Sequence, residues 1–311
     1  MIFKTTLELA KHVKINKNLE FGIIEPYIEQ AMDQYINPYL GMKLLDKVEE
    51  FYVLTPEAQA TKDNSDLWSK LLLYIQKTAA PFAVLVAVDE TSINFGDTGH
   101  TVSRTDKLAP ASDAKIAKYK SSLKDRSWFN LEQLLSLLEQ HPQVWPEWQA
   151  APQYHIRKGN FFSSAEEFQN KGLVDIQYSR LTFEKLRMPI QSLDVTEVKP
   201  LLGEAYNPLV KKTYTETQAP TYQELQLLVC RFLAHRAACV FSAVPANELD
   251  YQPVIKPLTA NTSNNFYCEQ ATLLASEISN YIIANAEKLG ITVESLSLNW
   301  NSEERKFVAF V

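Results

Sequence analysis

LEFGIIEPYIEQAMDQYINPYLGMKLLDKV, Leu19 to Val48, decides how this chain is read, because it occurs twice. Shifted by 162 residues it meets LTFEKLRMPIQSLDVTEVKPLLGEAYNPLV, Leu181 to Val210, without a gap. Leu19, Phe21, Ile28, Pro38, Leu40, Gly41 and Val48 stand opposite Leu181, Phe183, Ile190, Pro200, Leu202, Gly203 and Val210. Ile24 meets Leu186, and Ile36 meets Val198. Seven identities in thirty positions are few. The shared Ile/Val-x-Pro-x-Leu-Gly ending adds weight, because Pro and Gly set backbone geometry that few other residues adopt.

Within the first copy, Ile24, Tyr27, Ile28, Ala31, Tyr35, Ile36, Tyr39 and Leu40 recur at steps of three and four. That is one apolar face at helical period. The pattern predicts a helix starting near Ile24, with Pro26 in its first turn, where a missing N–H costs nothing. Pro38 removes a hydrogen bond and bends the last turn, and Gly41 ends it in a left-handed cap. The helix resumes through Leu44, Leu45, Val48 and Phe51. The motif residues are therefore Pro38, Gly41, Pro200 and Gly203, with a shaping role and no chemistry.

The flanking sequence agrees in order between the halves. Thr5-Thr6-Leu7-Glu8 has capping-box spacing and starts a short helix to about Val13; Ser163-Ser164-Ala165-Glu166 does the same in the second half. Thr55 to Asp66 reads as a loop. A long apolar helix follows, Leu67 to Val88, kinked at Pro81; its counterpart is Tyr222 to Ala243, opened by the capping box Thr221-Tyr222-Gln223-Glu224. Long loops come next, Ser92 to Leu108 and Pro245 to Pro257. Ser112 then caps one helix, with Ile116, Tyr119 and Leu123, and Leu131, Leu134, Leu135 and Leu138 form another. In the second half, Asn265 to Leu289 is one long helix stopped by Gly290. Tyr154 to Phe162 reads as extended. PQVWPEWQAAP, Pro142 to Pro152, breaks periodicity and divides the chain into domains 1–150 and 151–311, its tryptophans marking a packed joint. Ser295 to Val311 alternates about a turn and predicts a β-hairpin with an exposed edge. The fold class is mainly α: two tandem, related helical bundles with long loops and a C-terminal β-hairpin.

Composition narrows function. The chain has 311 residues, 46% hydrophobic and 22% charged, with a net charge of −6. That balance argues against tight, sequence-independent nucleic-acid binding, which needs clustered Lys and Arg. The N-terminus has no signal-peptide pattern, and the longest apolar run, Ala79 to Val88, is too short to span a bilayer. Cys230, Cys239 and Cys268 form no CxxC pair and read as small buried hydrophobes in a reducing compartment.

Signs of chemistry are weak. Asp97-Thr98-Gly99 matches the aspartic-protease tripeptide, but the flanks are not an apolar strand and no second copy exists to share the proton, so it reads as a turn. His235 and Cys239 have metal-ligand spacing without further ligands and read as helix residues facing one neighbour. Arg231 and His235 also share a face and are expected to pair with carboxylates, inside a unit or across a subunit contact. His12, His100, His141 and His155 read as surface residues. Lys115, Lys118, Lys120 and Lys124 form a basic stripe, read as a solvated face. There is no phosphate loop, GxSxG or HExxH. The expectation is a non-enzyme without cofactor or metal. A helical enzyme using carboxylates that only folding brings together is the competing reading.

TTLELAKHV (Thr5 to Val13), followed by the kinked helix Ile24 to Tyr39 with its Leu40-Gly41 stop, resembles the head–tail connector (head-completion adaptor) proteins of tailed bacteriophages. GHTVSRTDKLAPASDAKIAKYKSSL (Gly99 to Leu123) and SRLTFEKLR (Ser179 to Arg187) are similar to a structural family of Bacteroidetes phages and prophages, relatives of the crAss-like phages included. The resemblance covers most of the chain and implies two connector-like units. It implies a virion protein at the head–tail junction, made in the host bacterial cytoplasm. It also implies a homo-oligomeric ring, commonly twelve-fold, with the portal protein and tail or other neck proteins as partners. Genomic DNA would pass the channel without sequence-specific binding. A tail-completion or minor capsid position is the alternative. The chain departs from the family in length, since single connectors are about half as long.

Overall fold

The computed structural model describes residues 1–91, 94–96, 99–101, 112–152, 154, 159–242, 255 and 266–292. They are mainly α-helical. The predicted hairpin at 295–311 lies outside them, as does nearly all of Pro245 to Pro257. Of the first long loop, Asn94–Gly96 pairs antiparallel with Gly99–Thr101 in a short ribbon. The chain divides into two compact units, Met1–Ile156 and Arg157–Val311.

In the first unit, α1 (Thr6–Leu9) is capped by Thr5, whose hydroxyl accepts from the Glu8 amide, while Glu8 reaches back to the Lys4 amide at 2.8 Å. α2 runs Phe21–Ala31. It starts three residues before the predicted Ile24, so Pro26 sits inside the helix and not in its first turn, and the Gly22 carbonyl loses its helical donor. A π-helical segment, Met32–Ile36, follows, then α3 (Asn37–Leu40) and α4 (Met42–Val53). Thr55 to Asp66 is not all loop: Thr55 caps α5 (Pro56–Thr61), with Pro56 at its first position.

α6 (Ser65–Thr91) is the central helix, packed by α2, α4, α5 and α7 (Asp113–Gln140). Its stretch Ser65–Val88 is long and apolar enough to cross a membrane by length and composition alone, which the uninterrupted-run criterion missed. Here more than half of that window is buried by protein. α7 is one continuous helix where two were expected, because no Gly or Pro interrupts Asp113 to Gln140. Trp145, beside α8 (Pro146–Gln149), and Trp148, on it, are fully buried. Trp145 meets Trp68 edge-on at 5.0 Å, and Trp148 Nε1 donates to the Tyr39 carbonyl at 3.2 Å.

The second unit opens with α9 (Ala165–Gly172), whose cap is Ser164 with Glu167, one residue later than expected. α10 (Arg180–Leu193) leads into a second π segment, Asp194–Val198, then α11 (Lys199–Leu202) and α12 (Tyr206–Lys211). The long helix α13 (Ala219–Ser242) starts two residues before Thr221, which lies inside the helix and not at its cap. α14 (Phe266–Ala284) packs along it, and α15 (Ala286–Leu289) follows after a break at Asn285. Gly290 ends α15 in the left-handed conformation, at φ 71°.

Candidate functional site

The repeat is most exact where the helix register slips. Met32–Ile36 and Asp194–Val198 are both π-helical and lie 162 residues apart, matching the sequence repeat residue for residue. The mechanism is local. Pro38 and Pro200 have no N–H, so α-type bonding must fail there. One residue earlier, Asn37 and Lys199 donate five residues back, to the Met32 and Asp194 carbonyls. The slip thus precedes the proline, and the register changes in the π segment before Pro38 is reached.

Gly41 and Gly203 end α3 and α11 with φ 80° and 52°. Their ψ values, 148° and −123°, correct the expected left-handed cap. These are positive-φ regions that exclude a Cβ more strongly than the left-handed helical well does.

Around this shared frame the units carry different side chains. In the first, Tyr35 of the π segment stacks on Phe82 of α6 at 4.1 Å and 8°, with Trp128 of α7 edge-on to Phe82 at 5.1 Å. Tyr35 corresponds to Glu197. α6 and α13 align from their first residues, Ser65 and Ala219, so that buried Trp68, Leu71, Ile75 and Ala83 match buried Tyr222, Leu225, Val229 and Ala237. Phe82 then matches Arg236. The ring stack of one unit is an ion pair in the other: Arg236 donates through Nε to Glu197 at 2.9 and 3.0 Å and through Nη2 at 3.0 Å.

A second polar cluster occupies the same segment. Asp194, only 6% exposed, accepts from Asn160 Nδ2 at 2.7 Å and from the Tyr206 hydroxyl at 3.0 Å. Its first-unit counterpart is Met32, and that of Tyr206 is Leu44. Burial raises the Asp194 pKa, and the two hydrogen bonds oppose that rise. Burial, then the Asp194 charge, pushes Tyr206 up to about 12.

Cys239 and Cys268 are joined by a disulfide between α13 and α14, which corrects the reading of three free thiols. Arg236 Nη1 lies 3.5 Å from Cys239 Sγ. Cys230 is free and buried, and burial pushes its thiol up to about 12. His235 Nδ1 sits 2.8 Å from the Arg231 carbonyl of its own helix, and burial lowers its pKa. With Cys239 oxidised, the His235/Cys239 spacing offers no thiolate ligand. Among the described residues no group of three or more His, Cys, Asp or Glu could hold a metal. Asp97 and Thr98 of the protease-like tripeptide lie outside the described residues.

The lysine stripe separates on its helix. At 100° per residue, Lys115 and Lys118 share a face with Tyr119 and Arg126, whereas Lys120 and Lys124 turn about 140–180° away. The Tyr119 hydroxyl donates to the Lys14 carbonyl at 3.3 Å, and Arg126 Nη2 donates to the His12 carbonyl. The face with Lys115 and Lys118 thus lies beside the segment bearing Lys11, Lys14 and Lys17. His12 is no simple surface residue: it is partly buried edge-on to Phe3 at 6.0 Å. Burial lowers its pKa, and the charges of Lys77, Arg126 and Lys11 lower it further.

A family model described as a family of unknown function (DUF6712) matches residues 36–158. No curated protein and no solved structure matches the chain. The matched stretch begins at the last residue of the first π segment and stops two residues past the end of the first compact unit.

Proposed function

We propose that the chain is a structural virion protein, a ring subunit at the head–tail junction that links portal to tail around a DNA channel. The observation that carries this reading is the repeat itself: two units with the same π-segment, Pro and Gly break, fused in one chain. A break built twice with different side chains is a frame that holds helices at a set angle, and assembly subunits need such frames. The polar clusters at the break have the same character. Glu197 is held by Arg236 and Asp194 by Asn160 and Tyr206, so these carboxylates are used inside the unit. The Cys239–Cys268 disulfide fits a protein that functions outside a reducing cytosol after synthesis there. The partners on this reading are further copies of the chain, the portal protein, tail or neck proteins, and the genome passing through.

Electron microscopy and mass measurement of the purified full chain, alone and mixed with a portal protein from the same genome, test the proposal. Closed rings, or a stoichiometric complex with portal, are the expected result. A chain that stays monomeric, ignores portal and is absent from virions would sink it.

A further inference from the structure

The side chains collected where the segment Lys11 to Lys17 meets the first half of α7 point to a second property. Lys11, Lys14, Lys17, Lys115, Lys118 and Arg126 are all exposed. None of the six is in an ion pair among the described residues. They come from two stretches about a hundred residues apart, joined by the Tyr119–Lys14 and Arg126–His12 hydrogen bonds. Lys77 adds a seventh, half-buried cation next to His12. Asp125 is the acidic residue on the same helix face, and Ser121 lies 3.5 Å from its carboxylate. His12 sits among them: burial lowers its pKa first, and the charges of Lys77, Arg126 and Lys11 lower it further. In a chain of net charge −6, this is a local reversal of sign.

We infer that this face binds the phosphate backbone of duplex DNA without sequence preference. Two features select a polyanion of phosphates over an acidic protein face. The cations are almost all lysine, a residue depleted at protein–protein contacts, where Arg and large apolar groups dominate. Two large rings are exposed on this face, Tyr119 among the lysines and Phe129 one turn beyond Arg126. Lysine point charges on flexible stems match evenly spaced phosphates and read no base edges. The choice of duplex DNA deepens the head–tail reading and rests on it. The site gives the chain a weak, salt-sensitive grip on a passing duplex, where an acidic surface would repel it.

Fluorescence anisotropy of the full chain with a labelled random-sequence duplex tests this. If about four phosphates are contacted, affinity falls roughly a hundredfold between about 50 and about 200 mM salt. The double reversal Lys14→Glu, Lys118→Glu should weaken binding by tenfold or more and flatten that salt dependence. Lys288→Glu in the second unit should leave both unchanged. Circular dichroism melting confirms that each variant folds. No binding at the lowest salt, or binding that the double reversal leaves intact, overturns the inference. So does a double reversal that changes the self-association of the chain and not its DNA affinity, which would assign the face to another copy. Because binding is read on the soluble chain, a failure here leaves the ring assembly seen by microscopy standing, and the converse also holds.

Discussion

At Gly41 and Gly203 the backbone has positive φ with ψ far from the left-handed helical well. A Cβ at positive φ is turned against the carbonyl of the preceding residue, and strain of this kind costs about 1–3 kcal/mol. Gly41→Ala and Gly203→Ala should each lose stability of that order in urea unfolding, and valine should lose more. Gly22→Ala is the contrasting variant. Gly22 lies in the first turn of α2, and no atom stands within 4 Å of the place an alanine methyl would take, so alanine should stabilise by about 0.5–1 kcal/mol. If all three variants unfold alike, the break owes nothing to glycine. Asp194 makes a prediction of opposite kind. Its pKa is raised in the folded state, so the folded protein holds that proton more tightly than the unfolded chain does. The resulting stability is fully present below the ordinary aspartate value of 3.8 and is lost as pH rises through the raised value. Asp194→Asn removes the dependence, so the variant should gain on the wild-type protein as pH goes from about 3.5 to about 7. A difference that is flat or runs the other way would show that the Asn160 and Tyr206 hydrogen bonds outweigh burial.

Among the elements, the break shows what the sequence makes legible and what it hides. Pro38, Gly41 and their copies were readable because each has backbone chemistry of its own. The π segments were not, since a five-back bond differs from a four-back bond by one unsignalled residue. The long helices α6 and α13 were readable from periodicity, but the start of α13 ahead of Thr221 was not: Pro220 is tolerated at a helix start, and Thr215 with Gln218 organises the turn before it. The disulfide and the Glu197–Arg236 pair join residues 29 and 39 apart that carry no local pattern. Knowing the register now permits a test across the repeat. Breaking the Glu197–Arg236 pair by Arg236→Phe or Glu197→Tyr alone strands a partly buried charge and should cost about 2–5 kcal/mol. The double variant installs the Tyr35–Phe82 arrangement at the same two positions. It should recover most of that loss, because a well-packed apolar pair commonly replaces a buried ion pair without penalty. A double variant as unstable as the sum of the singles in chemical denaturation would mean the two frames are not interchangeable.

For the molecule as a whole, the question is whether the repeat is one of sequence or of folding units. Each unit has its own core. In the first, α6 is wrapped by α2, α4 and α7 and closed by Trp145 and Trp148. In the second, Phe162, Phe168, Leu186, Val229, Phe232 and Ile278 belong to one continuous buried cluster. A fully buried side chain of this size contributes roughly 1.5–3 kcal/mol, so either core suffices for a domain of its length. The match of a family model to residues 36–158 ends two residues beyond that first unit. Residues 1–156 and 157–311, expressed separately, should therefore each unfold cooperatively. The second fragment alone should be destabilised by reductant, since the Cys239–Cys268 bond lies within it. With the cysteines separated by 29 in sequence, loop closure predicts a loss of about 3–4 kcal/mol. A pair of fragments that fold only when mixed would mean the halves form one cooperative body and that the duplication has been merged into a single domain.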